Sequence, residues 1–460
     1  MTAPSRVSFR VLLRPGRSDL EAVLRLAVPV AVVQVGLMAM GVVDTLMVGR
    51  VSPEDLAAVA LGNLYFFVVA VFGMGLLMAL DPLVAQAMGA GDQEGAARAM
   101  QRGLVLATVL GVLVGVALLP ATPLFLWARQ PLEVIPIAAG YALWSIPGTL
   151  PFYWFVVLRQ TLQGMARVAP ILWTIVAANL LNVFLNWMLI WGNLGAPRMG
   201  AVGSAIGSSL ARWAMAGMLL GVAWPLLRRY LLPVRSGVLR PGPLGRMIRL
   251  GAPIGAQFQM EFGAFAAIGL FMGWLGTAQM AAHQVALNLV AFTFMVPVGI
   301  AAAAAVQVGQ EVGRGNADGA RRSAGAALGL GVGFMCATAV LFLTMPGAFG
   351  RLYTDDAGVL AVVIVLLPIA GVFQVFDGVQ AVAAGVLRGV GDTRAPMWIN
   401  LLGFWFLGIP FSLVFGFGLG WGAAGLWWGL AAGLAAVAIL LVLRVRHRMG
   451  RDLRRLVMEE

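Results

Sequence analysis

The chain has 460 residues, of which 61% are hydrophobic and 11% are charged. Soluble globular proteins carry roughly 25% charged residues, so this composition excludes a soluble protein and indicates one that crosses a membrane many times. The net charge of +12 does not indicate nucleic-acid binding, because the basic residues are all arginines and cluster between apolar segments. A single cysteine, Cys336, excludes a disulfide within the chain.

Twelve apolar segments follow one another, each near the length of about 20 residues that a helix needs to cross the hydrocarbon core. They predict an all-α membrane protein of two six-helix lobes. The predicted spans are 23–47, 56–80, 103–127, 136–158, 169–191, 201–227, 250–273, 280–305, 323–347, 357–386, 396–418 and 422–444. The predicted parts are an N-terminal segment (1–22), an N-terminal lobe (23–227), a linker (228–249), a C-terminal lobe (250–444) and a C-terminal tail (445–460).

Arginines are distributed unevenly between the two sides that twelve spans define. Twenty-six fall in the terminal segments and in the connections on the same side, whereas Arg50, Arg129, Arg198 and Arg351 fall on the other side. Basic connections remain in the cytoplasm, so we expect both termini there. The remaining arginine, Arg212, falls inside the sixth span, where we expect it to snorkel or to pair with an acid.

The two halves of the chain repeat each other at an offset of 224 residues. The match is densest after the second span of each half, where Gln86 and Gly89 align with Gln310 and Gly313. Because six spans separate equivalent points, the halves have the same orientation and are related by an axis along the membrane normal. Parallel repeats of this kind are typical of transporters whose substrate site lies between the lobes near the membrane midplane.

Three carboxylates inside predicted spans, Asp44, Glu261 and Asp377, align with apolar or aromatic residues of the other half. An ionisable side chain in a span costs about 2.5–3.5 kcal/mol on insertion scales, so we interpret these acids as ion-coupling residues. A carboxylate there can bind a proton or a small cation, and an organic cation can be exchanged for that ion. The pattern predicts antiport, with Asp44, Asn182, Glu261 and Asp377 as candidate Na⁺ ligands. The alternative is that the acids hydrogen-bond between helices or pair with Arg212.

Amide side chains recur near these acids at helical spacing. Gln257 lies one turn before Glu261, and Gln374 and Gln380 lie three residues to either side of Asp377. The residues predicted to support ion or substrate binding are Gln34, Asn179, Asn182, Asn186, Gln257, Gln284, Asn288, Gln374 and Gln380.

Three residues are candidates for gating. Asp81 falls at the predicted end of the second span, and Pro29 and Pro253 fall about one turn inside the first and seventh spans. Asp81 is equally explained as a helix-terminal acid that lies near Arg98 or Arg102.

The sequence does not predict an enzyme. The phosphate-binding motif of ATPases needs a lysine, which this chain lacks. No cluster of nucleophile, base and metal ligands falls at one membrane face. His283, in the predicted first turn of the eighth span, is expected to make a satisfied polar contact and not to transfer protons.

Five segments carry a recognisable pattern: Met40–Gly49, Pro82–Gly89, Leu181–Trp187, Ala281–Asn288 and Asp377–Gly389. They resemble the multidrug and toxic compound extrusion (MATE) family and, within it, the NorM-type branch. The resemblance implies a V-shaped bundle of two six-helix lobes in the bacterial inner membrane. It also implies export of small organic cations or amphipathic drugs in exchange for Na⁺ or H⁺.

The resemblance extends to single residues. It implies that Asp44 is the essential acid of the first helix, grouped with Asn182 and Asn186, and that Glu261 and Asp377 form the cation site of the C-terminal lobe. We expect no cofactor besides the coupling ion Na⁺ or H⁺, no nucleic-acid partner, and a monomer in the lipid bilayer. The alternative is a lipid-linked oligosaccharide flippase of the same wider superfamily, which a single intramembrane arginine disfavours.

Overall fold

Twelve helices long and apolar enough to cross a membrane dominate the computed structural model, which describes residues 15–457. The described residues contain no strand, and the all-α fold and the number of spans are confirmed. The helices are α1 (Arg17–Val48), α2 (Pro53–Gly89), α3 (Gln93–Leu118), α4 (Ile135–Gly164), α5 (Ala169–Trp191), α6 (Gly200–Val222), α7 (Pro241–Leu275), α8 (Thr277–Gly313), α9 (Ala317–Thr344), α10 (Ala357–Gly389), α11 (Arg394–Gly418) and α12 (Gly422–Met449).

The predicted third span, 103–127, is wrong by about ten residues. Helix α3 begins at Gln93, with the Asp92 side chain accepting a hydrogen bond from the Gly95 N–H, and it ends at Leu118. Pro120 follows, and a separate short helix covers Ala121–Trp127. Proline lacks the N–H for the helical hydrogen bond and kinks or breaks a helix, and at Pro120 the apolar run divides into two helices.

Other helices also extend beyond the predicted spans, because backbone hydrogen bonding continues where the apolar sequence stops. Helix α7 begins at Pro241, so residues 241–249 of the predicted linker are helical. Helix α1 begins at Arg17, and α12 ends at Met449. Pro29 and Pro253 therefore lie twelve residues into α1 and α7, which is more than three turns from each start and not about one.

The two halves meet along α1, α2, α7 and α8: α1 packs against α8, and α2 packs against α7 and α8. Gly89 and Gly313, which are equivalent in the repeat, make the closest approaches. A methyl group on Gly89 would lie 2.0 Å from the Gln310 carbonyl oxygen, and one on Gly313 would lie 2.1 Å from that of Gln86. Only glycine permits such an approach, and the reciprocal contact shows that the two-fold relation of the sequence is present in the fold.

Two hydrogen bonds follow the same symmetry. The Gln86 Nε2 donates to the Gly389 carbonyl oxygen at 2.9 Å, and the Gln310 Nε2 donates to that of Gly164 at 3.0 Å. Each glutamine thus bonds to the end of a helix in the opposite half. These contacts lie on the side of the bundle that carries both chain ends and the α2–α3, α4–α5, α6–α7, α8–α9 and α10–α11 connections. We call this side the arginine-rich face.

The segment after α12 crosses from the C-terminal half to the N-terminal half on this face. The Leu456 N–H donates to the Gln86 Oε1 at 2.7 Å, and Arg455 pairs with Asp92. Burial by itself raises the pKa of the Asp92 carboxyl, but the Gly95 N–H and the Arg455 guanidinium outweigh burial and hold that pKa below its usual range. The hydrogen bonds and ion pairs that the described residues make between the halves lie toward the arginine-rich face, so the protein is closed there.

Candidate functional site

The buried Asp44 carboxylate lies one turn before the end of α1 and receives hydrogen bonds on both oxygens. The Asn186 Nδ2 on α5 donates to Oδ1 at 2.5 Å, and the Ser208 Oγ on α6 donates to Oδ2 at 2.7 Å. Asp44 is only 5% exposed, and Asn186 is fully buried. Two donors aimed at one carboxylate stabilise its ionised form and offset part of the cost of burying that charge inside the N-terminal half.

Asn182 belongs to the same group. Its Oδ1 accepts from the Asn186 Nδ2 at 3.4 Å, and its Nδ2 donates to the Ser208 Oγ at 3.5 Å. Asn179, one turn earlier on α5, does not join the group. It donates instead to the carbonyl oxygens of Gly36 and Ile175. The structure therefore places two of the three predicted α5 asparagines at Asp44.

Ser208 was not predicted as a site residue. Serine is common in the small-residue stripes that let membrane helices pack closely, so its hydroxyl gives no distinct sequence signal. The one feature of the sequence that could have drawn attention to Ser208 is its position one turn before Arg212 on α6. The Arg212 guanidinium stacks over the Phe66 ring, 4.2 Å from its centroid, and acts on Asp44 electrostatically without a salt bridge within 4.0 Å among the described residues.

Glu261 on α7 and Asp377 on α10 lie on either side of one amide. The Gln380 Nε2 donates to the Glu261 Oε1 and to the Asp377 Oδ1, at 3.3 Å in each case. The Asn400 Nδ2, which was not predicted, donates to the Gln380 Oε1 at 3.4 Å and so orients this amide. The two carboxylates repel each other, and a proton or a cation bound between them relieves that repulsion.

Three predicted amides make no hydrogen bond to the acids among the described residues. The Gln374 Oε1 accepts from Thr293 and its Nε2 donates to Thr338, both at 2.8 Å, so its hydrogen bonds go to hydroxyls of α8 and α9. Gln284 is exposed, and Asn288 makes no hydrogen bond to a described residue. Sequence spacing placed these amides on a helix but not at a particular rotation relative to the other helices.

The expectation for His283 is wrong. Its side chain is 1% exposed, and neither ring nitrogen has a hydrogen-bond partner among the described residues. The ring packs edge-on against Trp427, with 5.7 Å between centroids. Helix α8 also begins earlier than predicted, at Thr277, so His283 lies in its second turn.

A cavity of about 800 Å³, its opening included, lies between the halves. Glu261 lines it from the C-terminal half, and Arg159 lines it from the N-terminal half. Predicted supporting residues that line it as well are Gln34, Gln257 and Gln380, and Gln163 and Arg388 are further polar residues of its wall.

Asp81 lies on α2, close to the cavity residue Arg388, and it is 1% exposed. Its Oδ2 is 3.2 Å from the Arg388 Nε of the opposite half, and its Oδ1 accepts from the Gln160 Nε2 at 2.9 Å. The predicted partners, Arg98 and Arg102, are therefore wrong. Helix α2 continues eight residues beyond Asp81, so the acid is not at a helix end but in an ion pair between the halves.

Buried arginines are more numerous than the sequence analysis expected. Arg159 and Arg388, assigned there to connections, are 5% and 9% exposed and belong to α4 and α10. The statement that Arg212 is the single intramembrane arginine is thus wrong. Arginine counting assigned residues near span ends to loops, and it did not detect side chains that extend from those ends into a cavity.

The chemistry of the donor set fits a proton or a single small cation. Among the described residues, no three His, Cys, Asp or Glu side chains group together, so a multi-carboxylate metal centre is not present there. Near Gln380, two carboxylates are hard oxygen donors of the type that Na⁺ binds, and the amide N–H group faces both of them. At Asp44 the carboxylate oxygens likewise face N–H and O–H donors.

A family model described as MatE matches residues 29–188 and 253–414, more than half of the chain. The two matches begin 224 residues apart, which is the offset of the internal repeat. The probable multidrug resistance protein NorM of Pseudomonas putida is 38% identical over 94% of this chain and 96% of its own length. The multidrug resistance protein NorM of Burkholderia vietnamiensis is 37% identical over 91% and 92%.

Solved structures share the fold. The eukaryotic MATE transporter AtDTX14 superimposes with a TM-score of 0.87 at 22% identity, over 95% of this chain and 98% of that one. An outward-facing multidrug resistance MATE family transporter of the MOP superfamily gives a TM-score of 0.82 at 22% identity, over 98% and 99%. At this level of identity the likeness establishes the arrangement of the helices.

Proposed function

The chain belongs to the MatE family of multidrug efflux transporters, and we propose that it exports small organic cations and amphipathic drugs in exchange for Na⁺ or H⁺. The observation that most directly supports this exchange is the position of Glu261. Its carboxylate lines the cavity between the halves and is joined through Gln380 to the buried Asp377. A cationic substrate in the cavity and an ion at the acid pair therefore compete for the same negative charge.

We assign the coupling role to Asp44, Glu261 and Asp377, with one acid centre in each half. Ion binding at either centre neutralises a buried charge, and the resulting change in stability can favour one arrangement of the lobes over the other. The cavity is built from the two halves of one chain, so we propose the monomer as the working unit. Pro29 and Pro253, equivalent in the repeat and deep within α1 and α7, are our candidate hinges.

We place the arginine-rich face in the cytoplasm of a bacterial cell, in its inner membrane. The arginine distribution and the bacterial relatives support this orientation and location. In this orientation the described state is closed to the cytoplasm. Cytoplasmic substrate enters only after Gly89 and Gly313 separate from the opposite half and the Asp81–Arg388 pair breaks.

The Asp81–Arg388 pair is proposed as part of the cytoplasmic gate. Breaking a buried ion pair by removing one partner costs about 3–5 kcal/mol, so Asp81→Asn is expected to destabilise the closed face. In a Cys336→Ser background, a cysteine at the cavity residue Gln163 reports the opening. We expect an impermeant maleimide, added from the cytoplasmic face, to label it at least about ten times faster when Asp81 is replaced.

Asp318→Asn is the matched control, because Asp318 pairs with Arg321 within α9 and is 58% exposed. It should leave the labelling rate unchanged. The double variant Asp81→Arg with Arg388→Asp should return labelling toward the wild-type rate. Equal labelling of wild type and Asp81→Asn would show that the pair does not hold the face closed.

The exchange itself is tested with purified protein in liposomes and a fluorescent lipophilic cation. We expect either a Na⁺ gradient alone or a pH gradient alone to drive uptake of the dye, and the effective gradient identifies the coupling ion. Asp377→Asn liposomes, containing the same amount of protein, should show only the leak of protein-free liposomes. Dye movement that is independent of both gradients in the wild type would contradict antiport.

One argument against the flippase alternative is lost, but the relatives still favour multidrug efflux. A single intramembrane arginine was expected to disfavour it, but Arg159 and Arg388 also lie in the cavity wall. The relatives that this chain resembles at 37–38% identity are instead named multidrug resistance proteins. These names also agree with the prediction that the chain is not an enzyme.

A further inference from the structure

We propose that Arg159 is a specificity-determining residue of the cavity, which binds the carboxylate of a zwitterionic substrate while Glu261 binds its cationic group. This inference rests on the proposed function and assigns one residue of its substrate site. It assigns to the N-terminal wall of the cavity an anion-binding residue that composition and spacing did not reveal.

Arg159 is a buried cation whose hydrogen-bonding capacity is largely unused. It is 5% exposed, its Nη1 donates to the Gln34 Oε1 at 3.0 Å, and its Nε has no hydrogen-bond partner among the described residues. A guanidinium has five N–H donors in a planar fork that matches a carboxylate. Burying such a group without a partner is costly, and a carboxylate arriving in the cavity would satisfy it.

The other charges near the cavity are already paired. Arg388 pairs with Asp81 at 3.2 Å, and Asp392 pairs with Arg444 at 2.7 Å. Asp81 also attracts Arg159 electrostatically, but no salt bridge within 4.0 Å joins Arg159 to any described acid. Arg159 therefore remains the cation of the N-terminal wall that is available to a ligand.

Glu261 is the corresponding acid of the opposite wall, and it too has no salt bridge to a described residue. The two charges face one cavity without meeting each other. Their depth in the membrane follows from the repeat: Gln34, which holds the Arg159 guanidinium, is equivalent to Phe258, three residues before Glu261 on α7. Three residues correspond to about 4.5 Å of helix rise, so the two charges lie at similar depths on opposite walls.

A molecule with an ammonium or iminium group and a carboxylate can thus satisfy both walls at once. A plain cation uses Glu261 alone and leaves Arg159 unsatisfied. Binding of an ion at Glu261 and Asp377 would then release the cationic end of the zwitterion, which is the same competition that the proposed antiport requires.

The test uses one xanthene dye in two forms: the free acid, which is zwitterionic, and its methyl ester, which is a plain cation. Binding of each form is measured with purified protein in detergent, and gradient-driven uptake is measured in liposomes. The variants are Arg159→Gln and Arg159→Lys, with Arg50→Gln, an exposed arginine of the opposite face, as the control. Two ratios are compared between variants: the affinity for the free acid divided by that for the ester, and the uptake rate of the free acid divided by that of the ester. A general loss of transport lowers both forms equally and leaves the ratio unchanged.

We expect Arg159→Gln to lower this ratio about ten- to a hundred-fold, as for the loss of a charge-assisted bidentate contact. Arg159→Lys, which keeps the charge, should recover part of it, and Arg50→Gln should not change it. An equal loss for both forms, or an unchanged ratio, would overturn the inference and leave Arg159 with a structural role. Failure of the proposed antiport is recognised separately. In that case uptake of the ester by the wild type would not depend on the Na⁺ or the pH gradient, while the ratio of binding affinities could still be measured.

Discussion

Replacing Asp44 with asparagine is expected to abolish transport while leaving the protein folded in the membrane. Asparagine has nearly the same shape but cannot be charged, so it cannot bind and release a proton or a cation. The substitution has two opposing effects on the stability of the folded protein. Removing a buried charge stabilises it by about 2.5–3.5 kcal/mol on insertion scales. Weakening the bonds from Asn186 and Ser208 costs roughly 1–3 kcal/mol.

The measurement is gradient-driven dye uptake in liposomes, together with the amount of monodisperse protein after purification. We expect uptake at the level of protein-free liposomes and a near-normal yield. Glu54→Gln, an exposed acid at the start of α2, is the control and should transport normally. An active Asp44→Asn variant would show that Asp44 serves only as a hydrogen-bond acceptor between α1, α5 and α6.

Neutralising either acid of the C-terminal half, by Glu261→Gln or Asp377→Asn, is expected to remove coupled transport and to raise thermal stability. Two carboxylates that share the Gln380 amide repel each other, so the loss of one charge relieves strain in the folded state. Because the remaining acid then lacks its partner, the site no longer binds the coupling ion in competition with the substrate.

The two variants are compared by uptake in liposomes, by the drug resistance they confer on a sensitive bacterial host, and by the melting temperature in detergent. We expect background uptake, no resistance and a melting temperature above that of the wild type. Normal resistance with either variant would exclude that acid from coupling. A large fall in melting temperature would instead indicate that the acid stabilises the fold.

The sequence by itself determined the number of spans, the repeat and the identity of the intramembrane acids. Each of these properties depends only on the order of residues along the chain. A span needs a continuous apolar run, a parallel duplication keeps its offset, and a carboxylate within such a run stands out by its charge alone. Gly89 and Gly313, which are 224 residues apart, make reciprocal contacts at the arginine-rich face. The repeat in the sequence thus corresponds to a two-fold relation between the halves of the fold.

Only the tertiary structure decided which side chains meet. Ser208 and Asn400 contact the acid centres, whereas Gln374 bonds elsewhere, because the rotation of one helix against another is set by packing across the whole bundle. Arg159 and Arg388 looked like loop arginines, since a long side chain near a span end can extend toward water or into a cavity. Hydropathy does not distinguish these two directions. The packing of the two halves against each other determines which direction each side chain takes.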